Sequence, residues 1–302
     1  MLTVVALGGN ALMRPGERGT AAEQRANLRE TCAELDPLLS DGDLVVTHGN
    51  GPQVGNELVR QERAADEVPP LPLYLAVAQT QAEIGALIES ELAAVANRPV
   101  ACLLTHVRVD EGDPAFEAPT KPVGPFYPEE EARRLEAERG WVVAGDAGRG
   151  WRRVVPSPEP LEIVELEAVR TLLAAGTIPV ACGGGGIPVS PRNGRLSGVD
   201  AVIDKDRASA LLAIALGADR LVILTDVDAV YRGWDTPAQE ELRELDVSAA
   251  AALLPELAAG SIAPKVEASV AFARATGNKA LITAAASLDE AFAGNAGTWI
   301  VP

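Results

Sequence analysis

The chain has 302 residues, enough to bury a large core in one α/β domain or in two lobes. Its 43 acidic residues outnumber 26 basic ones, and the net charge of −17 disfavours binding to nucleic acid or to anionic membranes. No apolar run approaches the roughly 20 residues that span a bilayer, and the N-terminus lacks a basic start and a cleavage site. Three widely spaced cysteines indicate neither a disulfide framework nor a zinc site. We therefore expect a cytoplasmic protein whose partners are small molecules.

Strand and helix patterns alternate along the chain. Strands are predicted at 3–7, 44–47, 100–104, 178–181, 220–224, 279–283 and 298–301. Helices are predicted at 23–35, from about residue 52, and at 79–96, 161–174, 204–216, 248–257 and 266–276. This alternation predicts an α/β fold in three layers, with a central, mainly parallel sheet flanked by helices. We expect two lobes of that sheet, at about 1–180 and 181–302.

A different pattern interrupts the alternation between about residues 111 and 160. This stretch is dense in proline, glycine and charge, and two short strand patterns at 141–144 and 151–155 flank a glycine-rich turn at 144–150. Because it carries its own apolar and aromatic residues, we interpret it as an inserted, protruding subdomain and not as a linker.

Glycines directly follow three of the predicted strands. They occur in Gly8-Gly9-Asn10, in Gly49-Asn50-Gly51 and in the run that begins Gly183-Gly184. Glycine at the carboxyl end of a parallel strand lets backbone N–H groups approach phosphate oxygens, and a following helix N-terminus adds partial positive charge. The spacings match neither a P-loop nor a G-x-G-x-x-G dinucleotide motif. The loops therefore indicate a phosphate site of another class.

Lysine is rare, and arginine supplies most of the positive charge. Three of the four lysines, Lys121, Lys205 and Lys265, lie in unusual local sequences (Pro-Thr-Lys-Pro, Asp-Lys-Asp and Pro-Lys-Val-Glu), whereas Lys279 does not. A lysine is a compact charge on a flexible stem and can follow a moving phosphoryl group. We expect these three lysines to hold phosphate.

Motifs in order along nearly the whole chain resemble the amino acid kinase family, and within it the branch that phosphorylates carbamate. They lie at residues 8–11, 20–27, 48–55, 119–125, 150–158, 183–189, 201–206, 223–227 and 260–267. The Pro-Thr-Lys-Pro, Gly-Trp-Arg-Arg-Val-Val-Pro-Ser-Pro and Asp-Lys-Asp segments are similar to that branch in particular. The resemblance implies a homodimer that reversibly transfers a phosphoryl group between ATP and carbamate, with Mg²⁺, giving ADP and carbamoyl phosphate.

The resemblance also implies roles for individual residues. It places Lys205 and Lys265 on the transferring phosphoryl group, gives Asp206 the task of holding both lysines, and brings Lys121 over the acid substrate. The implied phosphate- and acid-binding groups are Asn10 and the backbone amides of Gly8, Gly9, Gly49, Asn50 and Gly51. The implied nucleotide side comprises Gly183, Gly184, Thr225, Asp226 and Tyr231. No catalytic base is expected, because a carboxylate-like acceptor is already ionised at neutral pH.

Several alternatives stay open. Asp206 could instead cap the helix predicted at 204–216, Asp226 could cap a strand end, and Tyr231 could be core packing. Where the family usually has Gln-Gly-x-Ile-Gly-Tyr, residues 81–86 have Ala82 in place of the glycine, Glu83 at the variable position and Ala86 in place of the tyrosine, and Ile262 stands where methionine is usual. Two other functions therefore remain: a related kinase for another small acid or phosphate, and a catalytically silent nucleotide-binding regulator.

Overall fold

A computed structural model of the chain describes residues 1–145, 150–257 and 262–302. The centre of the turn predicted at 144–150 lies outside these residues, as do Gly260 and Ser261 of the last motif. The strands are β1 Leu2–Leu7, β2 Asp43–His48, β3 Val100–Cys102, β4 His106–Arg108, β5 Lys121–Tyr127, β6 Val142–Gly145, β7 Trp151–Val155, β8 Glu162–Ile163, β9 Ile178–Val180, β10 Ile187–Arg192, β11 Arg195–Gly198, β12 Arg220–Thr225, β13 Val230–Arg232, β14 Glu240–Leu242, β15 Glu244–Asp246, β16 Lys279–Ala284 and β17 Thr298–Val301. The α-helices are α1 Ala21–Ala33, α2 Asp36–Ser40, α3 Gly51–Arg63, α4 Leu73–Ala93, α5 Glu129–Arg139, α6 Leu166–Ala174, α7 Lys205–Leu216, α8 Val247–Leu253, α9 Ala263–Thr276 and α10 Leu288–Phe292.

The central sheet has eight strands in the order β15-β17-β16-β12-β1-β2-β9-β3. The six strands from β16 to β3 pair in parallel, while β17 runs antiparallel to β16. Residues 3–7 of β1 are all buried, as expected for a strand that is covered on both faces. The predicted α/β fold with a central, mainly parallel sheet is confirmed. The two-lobe division and the bounds 111–160 of the subdomain stay predictions.

Helices cover both faces of the central sheet. One apolar cluster joins one face to α7 and α9 through side chains such as Ile223, Leu212 and Phe272. The other joins the opposite face to α1 and α4 through side chains such as Leu28 and Ile88. Burial of these large apolar side chains provides the main driving force for this layering.

Some predicted bounds were wrong. The helix predicted at 161–174 begins only at Leu166, because Ile163 pairs with Val107 of β4 and extends a second sheet of order β11-β10-β4-β8. The helix predicted at 79–96 begins six residues earlier, at Leu73. Pro72 directly precedes it, and a proline prevents the helix from extending further toward the N-terminus.

The subdomain is a three-stranded antiparallel sheet, β5-β7-β6, covered by α5. The backbone of β5 packs directly against the backbone of α3. A Cβ added to Gly55 of α3 would lie 1.8 Å from the Cα of Gly124 in β5, whose φ is +77°. Val54 of α3 and Val123 and Val155 of the subdomain share one apolar cluster. This docking places Lys121, the first residue of β5, at the carboxyl edge of the central sheet.

Within the described ranges, none of the helices has both the length and the apolar character needed to cross a membrane.

Candidate active site

The carboxyl ends of four parallel strands meet at one edge of the central sheet. Leu7 at the end of β1 lies opposite His48 at the end of β2, and β9 and β12 end beside them. The loop at Gly8 approaches β12 so closely that an added Cβ would lie 2.5 Å from the carbonyl oxygen of Leu224. The predicted glycine loops therefore converge, since ligand sites in open α/β sheets form at this edge.

A cavity of about 160 Å³ lies between this edge, the subdomain and the N-termini of three helices. Its lining combines residues from the glycine loops, α3, α7, α9 and β5, which are far apart in the sequence. The lining residues are Gly9, Leu12, Gly49, Asn50, Gly51, Pro52, Gln53, Lys121, Gly184, Val202, Ile203, Asp204, Lys205, Asp206, Pro264 and Lys265. The three lysines singled out from the sequence thus line the same cavity.

Two of these lysines share one carboxylate. Lys205 Nζ lies 2.5 Å from Asp206 Oδ1, and Lys265 Nζ lies 3.2 Å from Asp206 Oδ2. All three side chains are at most 14% exposed. Burial works against the charge of Asp206, but the positive charges of Lys205 and Lys265 outweigh burial and hold its pKa below its usual value. Asp206 is therefore ionised at neutral pH.

The pKa values of the two lysines move in opposite directions. Burial lowers the pKa of Lys205, and this effect outweighs the attraction of Asp206. At Lys265 burial also acts to lower the pKa, but the charges of Asp206 and Asp204 outweigh it and the pKa is raised. Asp226 adds to that effect, so its charge lies within electrostatic reach of Lys265. A concentration of positive charge at this point suits a phosphoryl group.

Asp204, and not Asp206, caps α7. Asp204 Oδ1 accepts hydrogen bonds from the backbone N–H groups of Asp206 (2.8 Å) and Arg207 (3.3 Å), in N-cap geometry. Its other oxygen lies 2.5 Å from Lys121 Nζ. The alternative of Asp206 as the cap was wrong, because its side chain turns inward to the lysines while the residue before the helix makes the capping bonds. Asp204 also ties the subdomain lysine to the cavity, a contact that the sequence analysis missed.

The glycine loops are packed closely against polar side chains. A Cβ on Gly49 would lie 3.2 Å from Lys205 Cδ, and one on Gly184, at φ +65°, would lie 2.3 Å from Asn50 Nδ2. Asn50 in turn donates from Nδ2 to Thr80 Oγ1 at 2.9 Å, which orients its amide. Larger residues at these two glycines would displace the lysine or the asparagine. Neighbouring side chains of the cavity therefore require glycine at these two positions, in addition to any requirement of the turn itself.

His48 is buried behind the second glycine loop. Its Nδ1 lies 3.0 Å from the carbonyl oxygen of Gly49. Burial lowers the pKa of His48 to about 4, with a further contribution from the charge of Lys205, against the hydrogen bond to Gly49. The imidazole is neutral at pH 7 and contacts the second glycine loop through the carbonyl oxygen of Gly49.

Two buried glutamines were missed by the sequence analysis. Gln81 of α4 donates from Nε2 to the carbonyl oxygen of Gly183 at 2.7 Å and accepts from the backbone N–H of Thr105 at 2.6 Å. Gln53 of α3 donates from Nε2 to Gln24 Oε1 at 2.9 Å and lines the cavity. Gln53 lies within the motif at 48–55, and Gln81 begins the segment that departs from the family pattern, but their partners are distant in sequence, so spacing alone did not reveal them.

The departures from the family pattern lie away from the cavity. Ala82, Glu83 and Ala86 are on the exposed face of α4, opposite the buried Gln81. Ile262, directly before α9, is half-buried against an apolar cluster. These substitutions therefore leave the lining of the cavity unchanged.

The remaining predicted site residues lie farther out. Asn10 is half-buried in the turn after β1 and does not line the cavity. Thr225 Oγ1 donates to Asp226 Oδ1 at 3.0 Å, and Tyr231 donates to Asp228 Oδ1 at 2.8 Å. None of Thr225, Asp226 and Tyr231 lines the cavity. We call these three residues, at and just beyond the carboxyl end of β12, the outer end of the site.

Comparison with known proteins agrees with this arrangement. The model of the amino acid kinase family matches residues 1–284. The carbamate kinase of Halobacterium salinarum is 46% identical over 303 residues, which cover 99% of this chain and 98% of that protein. The structure of the carbamate kinase of Giardia lamblia bound to citric acid superposes with a TM-score of 0.93 at 41% identity, covering 99% of this chain and 98% of the other. The same Giardia enzyme bound to AMP-PNP gives a TM-score of 0.89 at 40% identity, with the same coverage.

The fold and the site thus define a member of the amino acid kinase family, to which this chain belongs. Identity above 40% over nearly the full length of both chains places it, within that family, among the carbamate kinases, and it is an enzyme.

Proposed function

We propose that the chain transfers a phosphoryl group reversibly between ATP and carbamate, interconverting ATP and carbamate with ADP and carbamoyl phosphate. The observation that carries this proposal is the cavity in which Lys205 and Lys265 share Asp206 while Lys121 enters from the subdomain. Relatives that carry the name carbamate kinase support the choice of acceptor. A homodimer and a cytoplasmic location stay predictions.

The chemistry needs positive charge and positioning more than proton transfer. In phosphoryl transfer, negative charge spreads over the equatorial oxygens between the attacking and leaving oxygens. Lys205 and Lys265 would neutralise that charge from buried positions, where electrostatic interactions are stronger than in water. Asp206 would keep their ammonium groups in place and offset their mutual repulsion until the phosphate arrives. Lys121 would bind the acid substrate, whose carboxylate attacks without a base.

The glycine loops and the outer end complete the proposed division of the site. The amides at Gly8, Gly9, Gly49, Asn50 and Gly51, with Asn10, would bind phosphoryl and acid oxygens. The nucleotide would lie toward Gly183, Gly184, Thr225, Asp226 and Tyr231. The structure bound to AMP-PNP is that of the Giardia relative, and its existence supports a nucleotide substrate here.

Mg²⁺ would enter with the nucleotide. Across the described parts of the chain, no group of three or more His, Cys, Asp or Glu side chains is arranged to hold a metal ion. Asp204 and Asp206 both bind lysines. This fits an ion held mainly by phosphate oxygens and water, the usual manner of Mg²⁺ in kinases. When bound, the ion supplies further neutralisation of phosphate charge, while the lysines of this chain position the transferring group.

The decisive experiment is a coupled assay of ATP formation from ADP and carbamoyl phosphate, run beside other acyl phosphates and, in reverse, beside a panel of small acids. We expect carbamoyl phosphate to give the highest kcat/KM. A higher value for another acid would make the chain a related kinase of the same fold. Nucleotide binding without turnover of any donor would make it a silent regulator.

A further inference from the structure

Gln53 presents an unsatisfied acceptor at the catalytic cavity. The residue lines the cavity and is only 6% exposed. Its Oε1 is closed to solvent and accepts no hydrogen bond from any described residue. A buried polar atom without a partner is costly and uncommon in folded proteins. Such an atom beside a substrate cavity suggests that a ligand supplies the missing donor.

A chain of hydrogen bonds fixes which end of the Gln53 amide is left unsatisfied. Gln24 must direct Nε2 to the carbonyl oxygen of Gly19, at 3.0 Å, because that oxygen can only accept. Gln24 Oε1 therefore faces Gln53 and requires a donor, which is Gln53 Nε2 at 2.9 Å. The amide of Gln53 cannot turn over without losing this bond. Its oxygen is thus held as the unsatisfied end before any substrate binds.

From this geometry we infer that the cavity lining shifts slightly when the acid substrate binds, so that Gln53 Oε1 becomes accessible, accepts a hydrogen bond from the amino group of the substrate and so determines specificity for carbamate. The inference rests on the proposed function and deepens it. The lysines offer only donors, so they can bind carboxylate and phosphate oxygens but cannot recognise an N–H group. An acceptor fixed at the cavity can. Acetate and acetyl phosphate have a methyl group at the same place and would leave the oxygen unpaired.

This assignment also gives a task to a motif that the proposed mechanism leaves unexplained. The segment 20–27 contains Gln24 and begins α1, where Thr20 and Glu23 cap the helix reciprocally. That cap fixes the first turn of α1, from which Gln24 reaches α3. Gln24 is therefore a positioning residue, and Gln53 is the residue that would contact substrate.

The test is the ratio of kcat/KM for carbamoyl phosphate to kcat/KM for acetyl phosphate, both with ADP. Gln53→Met keeps the length of the side chain but removes acceptor and donor, and we expect the ratio to fall about tenfold, the effect of one neutral hydrogen bond. Gln24→Met leaves Gln53 in place but frees its amide, and we expect a smaller fall, of about threefold. Gln61→Met is the matched control on the same helix, because Gln61 lies outside the cavity, and its ratio should equal that of the wild type.

Two outcomes would overturn the inference. Equal losses of kcat/KM with both acyl phosphates would show that Gln53 only joins α1 to α3, and wild-type kcat/KM with both would show that the oxygen meets no substrate donor. Binding of AMP-PNP and the melting temperature report whether each variant is folded. If Gln53→Met does not fold, Gln53→Asn keeps an amide but withdraws its oxygen by one methylene and should lower the ratio in the same way. Absence of carbamoyl phosphate turnover in the wild type would instead refute the proposed function itself.

Discussion

The two ends of the site differ in how much of their geometry exists before ligands bind. In the buried centre, Lys205, Lys265 and Asp206 are fixed by ion pairs among themselves and are shielded from water. At the outer end, Asp226 is exposed and Tyr231 half-exposed, and their side chains bond to neighbours a few residues away. The difference indicates that the protein preorganises the transfer of the phosphoryl group, where charge develops, and leaves the outer end to be ordered by its ligand.

The largest effect is expected from removing a lysine of the buried centre. Lys205→Ala or Lys265→Ala deletes a charge-assisted contact to the phosphoryl group, so kcat should fall by on the order of a hundredfold or more. Lys279→Ala is the matched control, because Lys279 is exposed at the start of β16 and should leave kcat unchanged. Near wild-type turnover in either of the first two variants would remove that lysine from the transfer centre.

The second-largest effect is expected from Asp206→Asn. The substitution keeps the shape but leaves two buried lysines without their carboxylate, and we expect kcat to fall about a hundredfold at every pH tested. Breaking a buried ion pair also costs about 3–5 kcal/mol, so the melting temperature should fall as well. Asp204→Asn is the comparison variant: asparagine still caps α7 but loses the ion pair with Lys121, so its melting temperature should fall less than that of Asp206→Asn, which loses two lysine partners. A pH–rate limb that follows the titration of Asp206 would make it a base and contradict the organising role.

Lys121→Ala should produce a smaller and more selective loss. Lys121 enters the cavity from the subdomain and is held there by Asp204, so its loss should raise KM for carbamoyl phosphate by about tenfold and KM for ADP by much less. Steady-state kinetics with each substrate varied in turn measure the split. Equal increases in both KM values would favour a structural role for Lys121 over binding of the acid substrate.

The smallest effect is expected at the outer end. Tyr231→Phe removes only the hydrogen bond to Asp228, and we expect kcat and KM for ADP to change by less than about threefold. Titration of the folded variant with AMP-PNP measures the Kd for a nucleotide at equilibrium, and this Kd should likewise change by less than about threefold. A loss as large as that of Lys205→Ala would show that both ends of the site are equally preorganised.

Sequence patterns predicted the features that depend on residues close to one another in the chain. The strand ends, the glycine loops that follow them and the three rare lysines all lie where the pattern indicated, because parallel strands bring their carboxyl ends to one edge. Strands β4, β5, β8, β10, β11, β13, β14 and β15 were missed. Pro188 and Pro191 lie within β10 and make that segment resemble a loop.

Contacts between distant residues could not be predicted from local patterns alone. Asp204 and Asp206 are equivalent in a local pattern; the family resemblance assigned Asp206 to the two lysines, but the capping role of Asp204 and its contact with Lys121 became apparent only in the tertiary structure. The relay from Gln24 to Gln53 joins two helices in the same way. Its signal in the sequence is that Gln24 belongs to a motif, at residues 20–27, for which the chemistry of phosphoryl transfer gave no task.

We conclude that Asp206 acts through the two lysines, and a double-mutant cycle of Asp206→Asn and Lys205→Ala tests this role. The measured quantity is kcat for ATP formation from ADP and carbamoyl phosphate in the wild type, the two single variants and the double variant, each below its melting temperature. If Asp206 only positions and balances the lysines, its removal should cost far less when Lys205 is already absent, so the double variant should be within about tenfold of Lys205→Ala. Losses that multiply in full, both here and in the matching cycle with Lys265→Ala, would show that Asp206 contributes independently of both lysines and would contradict its organising role.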